Sequence, residues 1–376
     1  MQCNFYSSIA EIPATTWNDL FDSENPFVQH AFLLALEASG CVSPATGWHA
    51  QHMVLTEAGQ PMAVLPLYAK NHSYGEFVFD WGWAEAYQRH GLDYYPKLLT
   101  AIPFSPVAGP RVGVRPGADT DVVFEALLSA LHQLAALHDY SSWHLLFPGR
   151  RLQSALLNMR EEGAFLHREA VQFHWFNHGY ATFDDFLATL RSSRRKNLKR
   201  ERRMVAEQGV TVERKPGMQI SDAEWEGFYQ CYMSTYRKRS GHDGYLNRGF
   251  FDQLRDAMPE KLMLVVAGRD GKIVASSLFL HDSKQHYGRY WGALQDVSCL
   301  HFEACFYQGI EFCIERGLQK FDPGTQGEHK LMRGFEPVKS ASYHWIADHR
   351  FRAAIADFLS HEKRSTDRYQ EQAASF

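Results

Sequence analysis

Hydrophobic and polar positions alternate along two separate stretches of the chain, and glycine-containing breaks interrupt each alternation. One stretch runs from His52 to Trp83 and the other from Leu262 to Ala293. Alternation with a period of two predicts half-buried strands, and the glycine breaks predict turns. Each stretch is therefore predicted to fold as strand, turn, strand, turn, strand.

The two stretches carry the same markers in the same order, which indicates an internal repeat. The turn glycines Gly59 and Gly271 lie 212 residues apart, and the tryptophans of two Trp-Gly pairs, Trp81 and Trp291, lie 210 apart. A repeat of about 200 residues is too long for a solenoid and indicates a duplicated domain. The alternative is a chance recurrence of β-meanders with glycine turns, which explains the conserved order of features less well.

Elements on both sides of these stretches also match. The matching elements are helices that begin near Trp17 and Trp225, helices at Leu92–Leu99 and His301–Arg316, and closing aromatic-His-Trp strands at Phe173–Trp175 and Tyr343–Trp345. Each half is thus expected to close with its own strand. Extra residues in the first half fit a helix at Asp121–His138.

Runs of strands followed by a helix and further strands predict an α/β (α+β) fold with a mixed sheet covered by helices. The length of 376 residues agrees with two domains. We predict an N-terminal domain at residues 1–175 and a C-terminal domain at residues 176–376. The second domain is expected to open with one basic helix at about 182–208, which begins at a capping box formed by Thr182 and Asp185.

The basic helix contains the most biased stretch of the sequence. Residues Arg191–Arg203 hold eight Lys or Arg and one Glu, whereas the whole chain has a formal net charge of −4. Such a concentration favours an anionic partner: the phosphates of a cofactor, a tRNA, or an anionic lipid or nucleotide-sugar head group. The alternative is a solvated helix tied to an acidic surface. The candidate carrier-binding residues are Arg194, Arg195, Lys196, Lys199 and Arg200.

Other features narrow the class of protein. The N-terminus lacks the basic and apolar segments of a signal peptide. No apolar run is expected to reach the roughly 18 residues of a spanning helix, so we expect a cytoplasmic protein without a membrane span. The six cysteines are expected to be free thiols. A metal site is not expected, because the histidine pairs His49/His52 and His174/His178 lack a third ligand.

Two long segments resemble one family. AEAYQRHGLDYYPKLLTAIPFSPVAGPR (Ala84–Arg111) and FDPGTQGEHKLMRGFEPVKSASYHW (Phe321–Trp345) resemble the FemAB-like predicted N-acyltransferases, a peptidoglycan biosynthesis/recognition family of the GNAT superfamily. The basic helix and Thr235–Phe251 also fit its pattern, and the resemblance covers roughly residues 5–365. It implies two GNAT-type domains in tandem, with a cleft between them.

The resemblance also implies a reaction. An acyl or aminoacyl group would pass from an activated carrier, aminoacyl-tRNA or acyl-CoA, to an amine on a peptidoglycan precursor, a peptide or an amino acid. The carrier would be a co-substrate, with no tightly bound cofactor. Alternatives are a non-catalytic module that recognises a cell-wall precursor or RNA through the basic helix, and an acyl-CoA enzyme that modifies a small amine. The oligomeric state is left open.

One departure from the GNAT pattern bears on the carrier. CoA-using GNAT domains usually carry a Q/R-x-x-G-x-G/A loop whose backbone N–H groups hold the pyrophosphate. The two nearest matches, Gln88–Asp93 and Arg289–Leu294, both fail at the last position. An aminoacyl-tRNA, or a CoA bound in another way, is therefore favoured.

Acyl transfer to an amine requires stabilisation of an oxyanion and removal of a proton from the amine. For the oxyanion, a backbone N–H on a bulged strand is expected near Trp81–Trp83 or Trp291–Ala293. For the proton, the candidates lie in or near the glycine-bracketed loop that ends at Lys330. The catalytic candidates are Glu328, His329, Asp322 and Glu303.

The remaining candidates are expected to bind substrate. Lys330 and Arg333 suit a phosphate or a carboxylate, and Gln326 and Tyr307 suit an orienting role. A matching cluster in the first half comprises Asp80, Glu85, Arg89, His90, Tyr94, Tyr95, Lys97 and Arg111, with a helix expected to start at Gly91. The alternatives without a role in function are surface charges for the cations, a surface loop for His329 and core packing for the tyrosines.

Overall fold

The computed structural model describes residues 1–158, 165–325 and 327–375 and divides the chain into two compact units. Unit 1 comprises Met1–Val171 and Lys339–Tyr369, and unit 2 comprises Gln172–Val338 and Gln370–Phe376. The first boundary lies near the predicted one at 175/176. The segment Lys339–Tyr369, which was predicted to belong to the C-terminal domain, belongs instead to unit 1.

Unit 1 begins with a series of short strands and helices. Its strands are β1 (Gln2–Tyr6), β2 (Trp48–Ala50), β3 (His52–Glu57), β4 (Gln60–Leu65), β5 (Tyr68–Lys70), β6 (Lys97–Thr100), β7 (Gly113–Val114) and β8 (Ser142–Leu146). Its helices are α1 (Ala14–Phe21), α2 (His30–Ala38), α3 (Trp81–Arg89), α4 (Thr120–Leu137) and α5 (Arg150–Asn158). The long strand β9 (Leu166–Phe176) then leads into unit 2.

Unit 2 contains the longer strands. After β9 come α6 (Phe183–Thr189), α7 (Ser192–Glu207), β10 (Thr211–Pro216), α8 (Asp222–Ser240), α9 (Arg248–Ala257), β11 (Leu262–Arg269), β12 (Lys272–His281) and β13 (Gln285–Ala293). A helical stretch follows, made of α10 (Leu300–Phe302), a π-helical segment (Glu303–Tyr307) and α11 (Gln308–Arg316). The chain continues through β14 (Lys320–Asp322), the 3-10 turn Glu328–Arg333, β15 (Glu336–Ile346) and α12 (His349–Ala374).

The strand orders of the two units are similar. In unit 1, β2, β5, β6, β8 and β15 are neighbours in that order, and β1, β3, β4 and β7 form a separate sheet. In unit 2 the order is β10, β11, β12, β13, β14, β9. β6 pairs in parallel with β8, and β13 pairs in parallel with β14, and a helix connects the strands of each pair. Both units therefore contain a βαβ crossover within a mostly antiparallel sheet.

The closing strands are exchanged relative to the prediction. The aromatic-His-Trp strand of the first half, in β9, pairs with β14 of unit 2 through Trp175 and Phe321. The corresponding strand of the second half, in β15, pairs with β8 of unit 1 through His344 and His144. The expectation that each half closes with its own strand is therefore wrong. Because the two strands have the same aromatic-His-Trp pattern, either one offers the same apolar faces to either sheet.

The Trp-Gly marker of the first half does not lie on a strand. Trp81 begins α3, in which Trp83 and Tyr87 lie four residues apart and are buried. This spacing puts both rings on one face of a helix, so the expected strand end at Trp81–Trp83 is wrong. Gly91, with a φ of 69°, follows the end of this helix instead of starting one.

The crossover helix of unit 1 also differs from the prediction. The stretch Leu92–Leu99, which was expected to be a helix, leads into strand β6, and α4 forms the crossover. Pro96 helps to explain this, because proline removes a helical N–H and restricts the residue before it to extended conformations. The helices predicted at Asp121–His138 and His301–Arg316 are confirmed within one or two residues.

The predicted basic helix is interrupted. Thr182 caps α6 as predicted, because its side chain accepts a hydrogen bond from the Asp185 N–H. α6 ends at Thr189, the next residue Leu190 is extended, and a new helix, α7, begins at Ser192. The basic residues thus lie mostly on α7, whose buried positions Leu198, Glu201 and Val205 mark its inner face.

Helix α4 is the one described helix that is long and apolar enough to span a membrane. It corrects the expectation that no stretch has this length and hydropathy. Its Phe124, Leu127 and Leu131 pack into the hydrophobic core of unit 1. Buried core helices pass the same test of length and composition, so α4 is weak evidence for a membrane span.

We predict that replacing the glycine of each Trp-Gly pair by alanine changes the stability of the protein in opposite directions. A Cβ at Gly292 on β13 would overlap the carbonyl oxygen of Cys231 on α8, so Gly292→Ala should destabilise the protein by about 1–3 kcal/mol or more. No atom lies within 4 Å of a Cβ at Gly82 in α3. Gly82→Ala should therefore stabilise it by about 0.5–1 kcal/mol. Guanidinium unfolding followed by circular dichroism measures both, and similar midpoints for the two variants would contradict the packing argument.

Candidate functional site

The two parallel strands of unit 2 part at one end. β13 and β14 are paired only from Gln285 with Lys320 to Tyr287 with Asp322, although β13 continues to Ala293. At the same point the register between β12 and β13 shifts, so that Arg289 has no Cα partner on β12. This bulge leaves the backbone of Gly288–Tyr290 outside the ladder on the β14 side, and bulges of this kind often lie beside active sites.

A buried ion pair bridges the parting strands. Arg289 Nη2 lies 2.6 Å from Asp322 Oδ2, and the N–H of Gly324 donates to Asp322 Oδ1 at 3.0 Å. Asp322 is buried, and its burial alone would raise its pKa. The Arg289 guanidinium outweighs this effect and holds the pKa of the carboxyl well below its usual range. We call Arg289, Asp322, Lys330 and the neighbouring His174 the Asp322 centre.

Lys330 is the cation of this centre that is not in an ion pair in the described chain. It is buried, and its Nζ donates to the carbonyl oxygen of Gly324 at 2.5 Å. Gly324 itself lies against β13, because a Cβ at this position would be 3.6 Å from the Gly288 carbonyl oxygen. Burial lowers the pKa of Lys330 to about 8, although nearby Asp322 raises it. A cation is therefore held beside the point where the strands part.

The turn that carries Lys330 also carries Glu328 and His329, both of which are exposed. The His329 ring lies 5.6 Å from the Phe306 ring and 6.2 Å from the His301 ring. Burial and the neighbouring Arg333 and Lys330 lower the pKa of His329. His329 is thus a neutral imidazole at the surface of the turn at neutral pH.

A cavity of about 340 Å³ lies at the end of β13, lined in part by Trp291, Asp296, Leu300 and His301. Burial and neighbouring groups, chiefly His329 and Lys330, together lower the pKa of His301 to about 4. The ring contact between His301 and His329 joins this cavity to the Glu328–Arg333 turn. The cavity is large enough for a small acyl group or an amine-bearing side chain.

A second ionic network attaches α7 to the same turn. Glu201, the one acid in the basic stretch, is buried, and its Oε1 lies 2.7 Å from Arg333 Nη2. Tyr307 also donates its hydroxyl proton to Glu201. The Arg333 guanidinium lies 3.4 Å from the centroid of the Phe302 ring and donates to the His329 carbonyl oxygen at 2.7 Å. Arg333 therefore fixes the turn and the basic helix together.

The predicted acid Glu303 is part of this network. It lies in the π-helical segment, and its Oε2 accepts from Arg202 Nε at 3.0 Å. Arg202 also binds Glu311, with 2.5 Å between Nη1 and Oε1. Glu303 is thus held by an arginine and is not brought together with Glu328 and His329.

The predicted carrier-binding residues lie on α7. Lys196, Lys199 and Arg200 are exposed, and Lys199 Nζ lies 3.0 Å from Asp184 Oδ1. Arg195 is half-buried and donates to backbone carbonyls at the end of α6. Arg194 is also half-buried, and its burial lowers its pKa. The exposed cations thus lie outside the inner face that Leu198, Glu201 and Val205 form.

Unit 1 contains a separate buried polar cluster around Lys97. Lys97 Nζ lies 2.8 Å from Glu76 Oε2 and 2.5 Å from Asp80 Oδ2, and all three residues are buried. Burial raises the pKa of Glu76 to about 7, whereas Lys97 holds the pKa of Asp80 well below its usual range against the effect of burial. The cluster continues through Tyr94, which donates to Asp80 at 2.6 Å.

The Lys97 cluster ends at two histidines. Tyr94 Oη lies 3.1 Å from His144 Nε2, and the Nδ1 atoms of His144 and His344 lie 2.5 Å apart. Tyr95 is also attached, through Ser73 at 2.8 Å. The prediction that Asp80, Tyr94, Tyr95 and Lys97 lie together is confirmed by these contacts. Their role in binding substrate stays a prediction.

Four other predicted residues of unit 1 do not join this cluster. Glu85 and Arg89 form an exposed i,i+4 pair on α3, and His90 is exposed with its Nδ1 2.8 Å from the Ala86 carbonyl oxygen. Arg111 is buried and donates to the backbone carbonyls of Leu146, Pro110 and Val107. Gln326, predicted in unit 2, lies outside the described residues.

Several residues of these networks were missed by sequence reasoning. They are Arg289, His174, His301, Glu201 and Arg202 in unit 2, and Ser73, Glu76, His144 and His344 in unit 1. A signal existed for Glu201, because a lone acid among eight basic residues indicates a specific partner. None of the described residues groups three His, Cys, Asp or Glu side chains in a way that suits a metal ion.

Comparisons with known proteins agree with this organisation. A family model described as FemAB-like, peptidoglycan biosynthesis/recognition, matches residues 8–375. No curated protein matches the sequence. The structure of FemX is similar, with a TM-score of 0.51 and 14% identity over 83% of this chain and 92% of FemX. The C-terminal domain of a putative lysylphosphatidylglycerol synthetase from Agrobacterium fabrum has a TM-score of 0.54 and 12% identity over 94% of this chain and 97% of that domain.

A conserved protein of unknown function from Bacteroides thetaiotaomicron VPI-5482 is also similar, with a TM-score of 0.53 and 12% identity over 92% of this chain and 100% of that one. At these identities the likenesses show the fold alone, and the predicted α/β fold with a mixed sheet covered by helices agrees with it. Family and fold together support a transferase and do not identify the transferred group. Because the family model covers nearly the whole sequence, this chain belongs to the FemAB-like family of peptidoglycan biosynthesis and recognition proteins.

Proposed function

We propose that the protein is an N-acyltransferase, which moves an acyl or aminoacyl group from an activated carrier to an amine. The observation that supports this most directly is the parting of β13 and β14 beside Lys330. Parted parallel strands expose backbone donors in a defined direction, and a buried cation next to them favours developing negative charge. This combination suits a carbonyl that becomes an oxyanion.

The reaction begins with the carrier's carbonyl group at the bulge around Arg289. A backbone N–H of Gly288–Tyr290 polarises the carbonyl oxygen, and the Lys330 ammonium stabilises the negative charge that forms on it. Preorganised donors of this kind need no reorientation during the reaction, because β13 and the Gly324 carbonyl hold them in position. The acceptor amine attacks the carbonyl carbon, and the carrier leaves as a thiol or a hydroxyl group.

The attacking amine must lose a proton. His329 and Glu328 are candidates at the surface of the turn, and the lowered pKa of His329 keeps its imidazole neutral and able to accept a proton at pH 7. Asp322 and Glu303 are less suited to this step, since each is tied to an arginine. Their carboxylates serve better as fixed charges that position other groups.

The carrier would be held by the exposed cations of α7. Lys196 and Arg200 lie four residues apart on one face of α7. The ion pair between Glu201 and Arg333 attaches this helix to the Glu328–Arg333 turn. The two nearest matches to the pyrophosphate-binding motif, Gln88–Asp93 and Arg289–Leu294, do not begin in loops. Gln88 lies within α3 and Arg289 within β13. This favours an aminoacyl-tRNA over a conventionally bound CoA. The acceptor would be a peptidoglycan precursor, a peptide or an amino acid.

Removing the Lys330 charge tests the proposed oxyanion site. Lys330→Met keeps most of the side-chain volume and should lower kcat by about 10²–10³-fold, the range for loss of one oxyanion donor. The exposed Lys272→Met is the matched control and should retain activity. Transfer from labelled acetyl-CoA and from charged tRNA to amines in a lysate fraction measures both. Equal rates for the two variants would exclude Lys330 from the reaction.

The pH dependence provides a second test of Lys330. Because burial lowers its pKa to about 8, the charge is present below this pH and is lost above it. If the cation is required, kcat/KM should fall on the alkaline side of about pH 8, well below the value of an ordinary lysine. Lys330→Arg keeps its charge at all accessible pH values, so this variant should lose the alkaline limb. If kcat/KM of Lys330→Arg still falls above about pH 8, another group is responsible for the decrease.

The α7 surface is tested by removing two cations, one helical turn apart. Lys196→Ala with Arg200→Ala should weaken binding of tRNA and lower the slope of log K against log salt concentration by about 1.5–2. Arg364→Ala with Arg368→Ala is the control, because these exposed arginines have the same i,i+4 spacing on α12. Filter binding between 50 and 300 mM salt, roughly the range over which phosphate contacts weaken, measures the slope. Equal slopes for the two double variants would remove α7 from the carrier site.

The same experiments distinguish the proposed enzyme from the alternative of a non-catalytic binding module. Tight binding of RNA or of a cell-wall precursor, without turnover of any donor, would favour the non-catalytic alternative. Turnover that depends on Lys330 supports the transferase.

A further inference from the structure

His174 is a buried histidine of the Asp322 centre that the reaction above does not use. It lies on β9 and is only 3% exposed. Its Nε2 has no hydrogen-bond partner in the described part of unit 2. The nearest acid is Asp322, whose Oδ1 lies 3.7 Å from Nε2, too far for a hydrogen bond. Buried polar nitrogens are normally satisfied, so this one needs an explanation.

The sheet places His174 and Asp322 at the same level. Trp175 on β9 is paired with Phe321 on β14, so the next position along each strand brings His174 opposite Asp322. Asp322 cannot turn freely, because Arg289 holds one carboxylate oxygen and the N–H of Gly324 donates to the other. A fixed carboxylate beside an imidazole orients the ring and favours one tautomer. A proton on Nε2, facing Asp322, leaves Nδ1 as the acceptor nitrogen.

We propose that His174 accepts the proton of the acceptor amine, with Asp322 stabilising the imidazolium that forms. This proposal rests on the proposed acyl transfer. The amine nitrogen bonds to the carbonyl carbon, and the carbonyl π electrons move to oxygen. The proton then passes from nitrogen to His174 Nδ1. The oxyanion's electron pair re-forms the carbonyl double bond, and the carrier's sulfur or oxygen leaves with the electrons of its bond to carbon. The leaving group takes the proton from His174, so the products are an amide and a protonated carrier.

The surroundings of His174 keep its imidazole neutral before the reaction. Burial and the cations Lys320, Arg289 and Lys330 together lower its pKa to about 3, although Asp322 raises it. A neutral imidazole can accept a proton on the ring nitrogen that carries none. Catalytic hydrogen bonds are often too long in the free enzyme and shorten when substrate binds. The distance of 3.7 Å between His174 Nε2 and Asp322 Oδ1 is consistent with this behaviour. Glu328 and His329 lie on the exposed face of the turn, whereas His174 is buried beside a fixed carboxylate.

The first experiment measures the kinetic effect of His174. In the full chain, His174→Gln should lower kcat by about 10²–10⁴-fold and change KM by less than about threefold, as for loss of a general base. His178→Gln is the control, because His178 is exposed four residues away and pairs only with Glu336 in the described chain. Added imidazole should restore part of the activity of His174→Gln and none of the activity of Lys330→Met. Full activity of His174→Gln, or no rescue by imidazole, would overturn the proposal.

The second experiment does not require a known donor. In protein labelled with ¹⁵N-histidine, His174 should be neutral between pH 5 and pH 8, roughly the range in which an ordinary histidine titrates, with its proton on Nε2. His174→Gln assigns the signal. Asp322→Asn should produce a mixture of tautomers, whereas a proton on Nδ1 in the unmodified protein would overturn the proposal. If the expected tautomer is found but no donor supports turnover, acyl transfer fails while the His174–Asp322 pairing stands. His174→Asn replaces His174→Gln if the latter does not fold by circular dichroism.

Discussion

A buried carboxylate must be paired, and Asp322 meets this requirement by joining two strands that have begun to part. Leaving such a charge without its partner typically costs about 3–5 kcal/mol, so Arg289 and Asp322 constrain each other strongly. The same carboxylate accepts the N–H of Gly324 and thereby sets the start of the turn that presents Lys330. The geometry of the candidate site thus follows from one ion pair.

Much of the fold follows from local patterns in the sequence. Alternation and turn glycines predicted β11, β12 and β13, and the Thr182 cap was predicted from its neighbours alone. Failures occurred where a local pattern fits two structures. The spacing of Trp83 and Tyr87 also satisfies a helix, and the aromatic-His-Trp strands fit either sheet, so only long-range pairing decides which unit each strand completes.

The candidate site was predicted in part for the same reason. Asp322, Lys330 and Arg333 lie within a short, unusual stretch, so sequence reasoning selected them and the structure brings them close to one another through Gly324 and the turn. Arg289, His174 and Glu201 reach this region from three separate elements. Even where the local sequence indicates a partner, as for Glu201, it does not say which residue that partner is. Ion pairs between distant positions have no periodic signature, whereas strands and helices do.

The duplicated organisation raises the question of which unit carries out the chemistry, and the polar residues beside the two parallel strand pairs differ in a way that bears on it. In unit 1, the position at which β8 and β15 face each other holds His144 and His344, whose Nδ1 atoms lie 2.5 Å apart. In unit 2 the corresponding level holds Asp322 beside His174, next to a bulge and a lysine with a lowered pKa. A histidine pair closed on itself stabilises a core. An acid, a lysine and an imidazole nitrogen that has no hydrogen-bond partner in the described part of unit 2 instead offer groups to a substrate beside the bulged strand. The physical asymmetry therefore favours unit 2 as the reacting unit and leaves binding or structure to the Lys97 cluster of unit 1.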